Sequence, residues 1–300
     1  MAASRARLPD GRLHFQHGPI DIVIGADGDA RALDAAHAAA WQRFEGVLGE
    51  LVAELPLLRR PVEGACRLQG PIARRMWHAC LPFSAVYITP MAAVAGAVAQ
   101  ELIAFYDAGG IERAWVNDGG DIAWHLAPGR SLRLGLYADL ARLDAAELAR
   151  GIRIDGRIDV THEMPVRGVA TSGWRGRSFS LGIADSVTVL ARDAAAADAA
   201  ATMIANAVNT DDPAIERRPA RDLDPDSDLR EHRVTVSVGT LDAASCAAAL
   251  AQGERAARTY RAAGVIEAAY IELQGRRVAA GGTDATAAIP EKRMAWSLHA

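Results

Sequence analysis

The chain has 300 residues and half of them are hydrophobic, so it can bury one large core or two modest ones. Its net charge of -4 comes from interspersed acids and bases, and aromatic residues make up only 5%. This composition excludes disorder as the default state and argues against nucleic acid as a partner.

The cysteine pattern points to reduced thiols. Cys66, Cys80 and Cys246 are too few and too irregularly spaced for a disulfide framework, and no CxxC pattern suggests a zinc site. We therefore predict a cytoplasmic protein. The N-terminal residues lack the apolar segment of a signal peptide, and the uncharged run at 83–99 is too short and too weakly hydrophobic to span a bilayer, so no membrane partner is expected.

The N-terminal part predicts two strands followed by helices. Residues 13–25 predict strands on either side of the Gly18-Pro19 turn, and residues 33–55 predict a long helix that is ended by Pro56. Residues 72–80 predict a short helix.

The next predicted helix is built from small residues. Thr89 is expected to cap it, Pro90 occupies its first position, and Gly109-Gly110 closes it. Gly96 lies in its middle, where a glycine costs roughly 1 kcal/mol relative to alanine. Such a cost is tolerated where a ligand or a neighbouring backbone comes close.

A tight turn, Asp118-Gly119-Gly120-Asp121, follows a short strand. Its glycines allow a positive φ or the close approach of a ligand, so the turn fits either a plain hairpin or a binding site. Residues 122–138 predict two further strands around Pro128-Gly129. Residues 140–160 predict a polar, irregular segment with a strand at 151–155.

The stretch from Arg167 to Asn209 carries the clearest chemical pattern. It predicts a Thr-Ser-Gly loop, a strand at 186–190 and an Ala-rich helix on which Asp198, Thr202 and Asn206 share one face. A buried acid needs a partner, which could be a cation. Asp198 and Thr202 are oxygen donors of the kind that Mg²⁺ takes, although this spacing alone is common. The loop could offer donors to a phosphate that the cation holds.

Residues 210–232 are charged and proline-rich, and predict a linker or an exposed excursion. Beyond them, residues 233–300 predict a C-terminal αβ unit packed on a core of residues 1–209. The unit consists of a strand, a helix at 242–263, a strand pair around Gln274-Gly275 and a frayed tail.

Three blocks of sequence together resemble the UPF0280 family, a branch of the ApbE-like superfamily whose best-known members are FAD:protein FMN transferases. The blocks are PMAAVAGAVAQE, VNDGGDI and GVATSGWRGRSFSLGIADSVTVLARDAAAADAAATMIANAV. The resemblance covers roughly residues 13–209. It implies an α+β fold with mixed, mostly antiparallel sheets packed with helices.

The resemblance also implies a set of site residues. Asp198 and Thr202 would be Mg²⁺ ligands, assisted by a backbone carbonyl from the helix around Gly96. The binding site for a flavin nucleotide would be lined by Gly119, Gly120 and Asp121 and by Thr171, Ser172 and Gly173. Candidates near the reacting group are Asp185, Ser172 and Arg177. The transferases carry a histidine in an HxxDP-type segment after the loop, whereas this chain reads RSFSLGIAD, with Arg177 where relatives of the branch often have histidine.

Two functions follow from these residues. The first is an Mg²⁺-dependent enzyme that acts on or with a flavin or another phosphate-containing cofactor or metabolite, such as a divergent flavin transferase. The alternative is a non-catalytic flavin- or nucleotide-binding protein that has lost the transferase histidine. FAD and FMN are the candidate cofactors, the expected partner is a small molecule, and a homodimer is a possible assembly.

Overall fold

The structure, a computed structural model, describes residues 2–136 and 156–281. Its strands are β1 (Ser4–Arg7), β2 (Leu13–His17), β3 (Ile20–Gly28), β4 (Ile111–Asp118), β5 (Asp121–Leu126), β6 (Ser131–Leu136), β7 (Gly156–Thr161), β8 (Gly168–Ser172), β9 (Ser186–Ala191), β10 (Ile215–Pro219), β11 (Arg233–Val238), β12 (Ala268–Leu273) and β13 (Arg276–Ala280). Its α-helices are α1 (Ala30–Leu58), α2 (Pro71–Cys80), α3 (Val94–Ile103), α4 (Ala194–Ala207), α5 (Ala220–Leu223) and α6 (Ala243–Ala262). The predicted strand at 151–155 and the predicted tail beyond residue 281 lie outside these ranges.

Nine strands form the main sheet, in the order β1-β2-β3-β4-β5-β8-β9-β12-β13. Two separate hairpin-like sheets pair β6 with β7 and β10 with β11. The predicted α+β class is confirmed. The sheets were predicted to be mixed and mostly antiparallel, and every pairing within the described residues is antiparallel.

The main sheet buries both of its faces. Helices α1 to α4 cover one face and form the larger core with residues such as Ala123 of β5. The neighbouring Trp124 belongs to a second core on the other face, under the β6–β7 pair. Successive strand residues point to opposite faces, so Asp121 lies on the helix side, two residues before Ala123.

The long first helix continues past the predicted end at Pro56. It runs to Leu58, with Pro56 inside its last turn. A proline there removes one hydrogen bond, to the carbonyl four residues earlier. That carbonyl belongs to Val52, which is 54% exposed and can be solvated, so the helix tolerates the loss.

Thr89 does not cap its helix as predicted. Residues Pro90–Ala93 form a 3-10 turn before α3 begins at Val94, and the Thr89 side chain makes no capping bond. Its hydroxyl instead donates to the Asp228 carboxylate, and the Tyr87 hydroxyl donates to the Asp228 carbonyl at 2.5 Å. Segment 210–232 therefore folds back onto the residues that precede α3.

Segment 210–232 is more ordered than the predicted linker. Its strand β10 pairs with β11, and Ile215 and Ala220 are buried. Because charged residues dominate the composition of this segment, the two apolar residues that anchor it gave no clear signal, and the sequence predicted a linker or an exposed excursion. Farther on, β12 pairs with β9, so the C-terminal strands extend the main sheet. Among helices of the described ranges, none has the length and hydropathy that crossing a membrane requires.

Candidate functional site

The Asp118–Asp121 turn is a two-residue hairpin between β4 and β5. Gly119 and Gly120 both have positive φ, +65° and +115°, and the Gly120 N–H donates to Asn117 Oδ1 at 2.8 Å. Asp118 and Asp121 form the last cross-strand pair, so their side chains share one face of the sheet. Both are buried, with 7% and 8% of their surface exposed.

Asp198 reaches this turn from the crossing of α3 and α4. A Cβ atom on Gly96 would lie 2.2 Å from the Ala194 carbonyl oxygen, so only glycine permits the crossing. The Gly96 N–H donates to Asp198 Oδ2 at 3.0 Å. Gly96 is therefore required because the backbone of α4 passes close to it. The same close approach brings the Gly96 N–H within hydrogen-bonding distance of the Asp198 carboxylate.

Asp121 and Asp198 form a hydrogen-bonded pair of carboxyl groups. The Thr171 N–H donates to Asp121 Oδ1 at 3.1 Å and holds one member of the pair. Burial, together with the nearby Asp198 charge, raises the pKa of Asp121 well above its usual value. Burial also raises the pKa of Asp198 to about 7. A proton is therefore bound more tightly by this pair than by two separate, exposed aspartates.

Asp118 is a site residue that the sequence reasoning missed. Burial and the charge of Asp121 raise the pKa of Asp118 to about 7, against the lowering effect of Arg177. The signal for it was the symmetry of the Asp-Gly-Gly-Asp turn. In a two-residue hairpin the residues on either side pair directly, so a role for Asp121 implies that Asp118 lies beside it.

The Thr-Ser-Gly loop lies at the end of β8, beside the carboxyl pair. Thr171 Oγ1 is 2.9 Å from Thr188 Oγ1, and Ser172 is the last, partly buried residue of the strand. A Cβ atom on Gly173 would lie 2.3 Å from the Asp185 carbonyl oxygen. Gly173 therefore allows the loop backbone to pass close to the backbone of Asp185.

Asp185 and Arg177, both predicted near the reacting group, have different surroundings. Asp185 accepts from Trp174 Nε1 at 3.2 Å and from the Gln274 N–H at 2.5 Å, so both its oxygens hold protein donors. Arg177 is exposed, and its Nη1 is 3.3 Å from the position of a Cβ on Gly119. The structure thus brings Arg177 to the Gly-Gly turn and fastens Asp185 to the turn after β12.

The polar stripe of α4 divides between two neighbours. Asp198 pairs with Asp121, whereas Asn206 Oδ1 accepts from the Leu181 N–H at 2.9 Å and so binds the loop before β9. Thr202 lies between them, partly buried and one turn after Asp198.

The donors at this site fit the chemistry of Mg²⁺. No complete cluster of three His, Cys, Asp or Glu side chains around a metal position exists in the described ranges. Mg²⁺ takes few protein oxygens and retains water and phosphate ligands, so a full protein shell is not required. The Asp121–Asp198 pair supplies hard oxygen atoms with raised pKa values, which is the electrostatic state that a bound cation would relieve.

Two solved structures share low overall similarity with the chain. The ApbE protein of Thermotoga maritima has a TM-score of 0.43 and 15% identity, over 70% of this chain and 87% of that one. The apo form of the Pseudomonas stutzeri flavinyl transferase ApbE has a TM-score of 0.44 and 13% identity, over 93% of both chains.

Sequence comparisons identify the family. The profile described as "AbpE bacteria" matches residues 5–279. The UPF0280 protein of Methanothrix thermoacetophila is 40% identical over 50% of this chain, which spans 56% of that relative. The UPF0280 protein of Methanopyrus kandleri is 34% identical over 72% of this chain and 83% of its own length. The chain therefore belongs to the UPF0280 family of the ApbE-like superfamily.

Proposed function

We propose that this protein is an ApbE-like, Mg²⁺-dependent enzyme that acts on a flavin or another phosphate-containing cofactor or metabolite, with divergent flavin transfer as its reaction. The buried Asp121–Asp198 pair supports this proposal most directly, because two carboxyl groups with raised pKa values beside a loop are costly without a ligand. Membership of the superfamily supports the flavin-related chemistry.

Each residue has a role in this proposal. Asp121, Asp198 and the Thr202 hydroxyl would hold the Mg²⁺, which neutralises and polarises phosphate oxygens when bound. The Gly96 and Thr171 N–H groups orient the two carboxylates. Asp118, with a pKa of about 7, can accept or return a proton at the turn near neutral pH. Asp185 would hold the loop in place and Ser172 would face the ligand.

The resemblance also supports the non-catalytic alternative. It places Arg177 where relatives of the branch often have histidine, and an arginine cannot exchange a proton near neutral pH. A protein of this kind would bind flavin or nucleotide without turnover. The two functions therefore differ in turnover and agree on binding.

Thermal melting with FAD, FMN or ATP, each with and without Mg²⁺, tests the binding site. We expect a flavin nucleotide to raise the melting temperature only with Mg²⁺, since a ligand at 100 times its Kd contributes about 2.7 kcal/mol. Asp198→Asn, which keeps the size of the side chain, should abolish that rise. Mass spectrometry of co-purified molecules gives an independent identification. The proposal fails if none of the three ligands shifts melting and Asp198→Asn leaves Mg²⁺ binding unchanged.

Release of AMP from FAD distinguishes an enzyme from a carrier. Transfer of the FMN moiety breaks the diphosphate bond of FAD and leaves AMP as the second product. We expect AMP to appear with Mg²⁺ and an acceptor, and to be absent from Asp198→Asn. Tight flavin binding without AMP would favour the carrier.

A further inference from the structure

The loop after Thr-Ser-Gly holds two arginines with different surroundings. Arg175 is engaged: its guanidinium stacks over Trp174 at 4.9 Å, and its Nε is 3.7 Å from Asp185 Oδ1. Arg177 is exposed and forms no ion pair with a carboxylate of the described residues. Its guanidinium instead lies against Gly119, at the entrance to the acidic turn.

Three backbone N–H groups of this loop are already bound within the protein. The Thr171 N–H is bound to Asp121, the Trp174 N–H to the Ala184 carbonyl at 3.0 Å, and the Gly176 N–H to the Gly173 carbonyl at 3.1 Å. These three N–H groups are therefore not available to a phosphate. Arg177 offers a planar fork of N–H groups that matches phosphate oxygens.

Charge leads to the same residue. Asp118, Asp121 and Asp198 repel an incoming anion, and a bound Mg²⁺ would offset only part of that repulsion. Arg177 lies against Gly119, the residue that follows Asp118, so its charge is close to the acidic turn. A guanidinium placed between the acidic turn and solvent can face both the turn and an anionic ligand.

We infer that Arg177 is the specificity-determining residue that binds the phosphate of the ligand, so that the site takes phosphorylated flavins in preference to uncharged riboflavin. The inference rests on the proposed function, because it assigns one contact of the same site. Gly119 is part of the arrangement, since a Cβ there would lie 3.3 Å from Arg177 Nη1 and crowd the guanidinium.

The experiment compares FMN with riboflavin, which differ by the phosphate alone. Dissociation constants are measured by flavin fluorescence with Mg²⁺ for the wild type, Arg177→Gln and Arg177→Lys. We expect Arg177→Gln to weaken FMN binding roughly 10- to 100-fold, the range for a lost charge-assisted hydrogen bond, and to leave riboflavin binding within about twofold. Arg177→Lys, which keeps the charge and loses the fork, should fall between.

Arg175→Gln is the matched control, because it removes the same charge from the same loop. We expect it to leave the ratio of FMN to riboflavin affinity unchanged. An equal loss of FMN affinity in both Gln variants would show a diffuse effect of charge and would overturn the inference. An unchanged ratio of FMN to riboflavin affinity in Arg177→Gln would also overturn the inference, but the proposed function would remain. Failure of the wild type to bind FMN, FAD or riboflavin overturns the inference and the proposed function together.

Discussion

Three aspartates dominate the electrostatics of the site at the scale of single residues. Asp118, Asp121 and Asp198 are held close by a hairpin and a helix crossing, and the pKa of each is raised, chiefly by burial. Groups whose pKa values are raised in the folded state favour that state while they are protonated. The stability of the protein should therefore depend on pH in the range where these three carboxyl groups lose their protons.

We expect the metal-free protein to melt at a higher temperature near pH 5.5 than near pH 8. The pKa of Asp118 is about 7 in the folded protein against 3.8 in the unfolded chain, so between these values the folded protein binds more protons. The stabilisation is complete below about pH 4 and is lost as the pH rises through 7. Asp118→Asn should flatten this dependence, measured by melting in EDTA.

Asp226→Asn is the control for this comparison, because the Asp226 side chain is 85% exposed. It should melt with the pH dependence of the wild type. A dependence in Asp118→Asn as steep as in the wild type would contradict the electrostatic account.

Asp198→Asn should have opposite effects with and without metal. Near pH 8 and in EDTA the variant should be more stable than the wild type by roughly 1–3 kcal/mol, since it removes a buried charge beside Asp121. With Mg²⁺ it should gain less stability than the wild type, because a ligand has been lost. Denaturant unfolding under both conditions measures the two changes. A variant that is destabilised in EDTA, and gains as much from Mg²⁺ as the wild type, would exclude this role for Asp198.

Three residues that the sequence singled out, Asp121, Thr171 and Asp198, lie close together in the structure. Each could be recognised from a local pattern: a hairpin turn, a strand end and a helix face. The contact between Asp185 and the Gln274 N–H could not be predicted, because it joins residues far apart in the chain whose proximity depends on the pairing of β9 with β12. Local patterns therefore identified the groups, and long-range pairing determined which of them are already engaged.

At the scale of elements, the crossing of α3 and α4 depends on Gly96. We expect Gly96→Ala to destabilise the protein by roughly 1–3 kcal/mol, because its Cβ would overlap the Ala194 carbonyl and force the helices apart. Gly49→Ala on α1 is the control: its Cβ would meet nothing within 4 Å, so it should stabilise by roughly 0.5–1 kcal/mol. Chemical denaturation measures both. Equal effects of the two substitutions would contradict a tight crossing.

The bond between Thr89 and Asp228 fastens segment 210–232 to the start of α3. We expect Thr89→Val to cost roughly 1–3 kcal/mol, since it leaves the Asp228 carboxylate without its donor, and Thr89→Ser to cost much less. A double-mutant cycle with Asp228→Ala isolates the coupling between the two side chains. Additive effects in that cycle would show that the contact does not stabilise the fold.

The elements themselves were predictable to different degrees. Alternation and helical spacing identified the strands and helices, since those periods come from local geometry. The helix end predicted at Pro56 was wrong because the proline removes one hydrogen bond, and the carbonyl that loses it belongs to Val52, an exposed residue. The strand at Ile215–Pro219 was missed because its pairing with β11, and not its composition, stabilises it.

At the scale of the whole molecule, the C-terminal strands complete the main sheet. All six residues of β9 are buried, and β12 covers one edge of that strand. We expect a chain that ends at residue 232 to aggregate, since an apolar strand edge would be exposed. Size-exclusion chromatography of the soluble fraction measures this. A soluble, monomeric product with wild-type melting would contradict it.

The strands of the main sheet lie side by side in the same order in which they occur in the chain. Each strand can therefore pair with one that has already been synthesised, so the sheet can grow in one direction while the chain leaves the ribosome. The hairpin that bears Asp121 precedes α4 in the chain, so it can form before α4 brings Asp198. The proposed metal site is therefore incomplete until α4 has been synthesised, and a nascent chain halted before α4 would hold the acidic turn without Asp198.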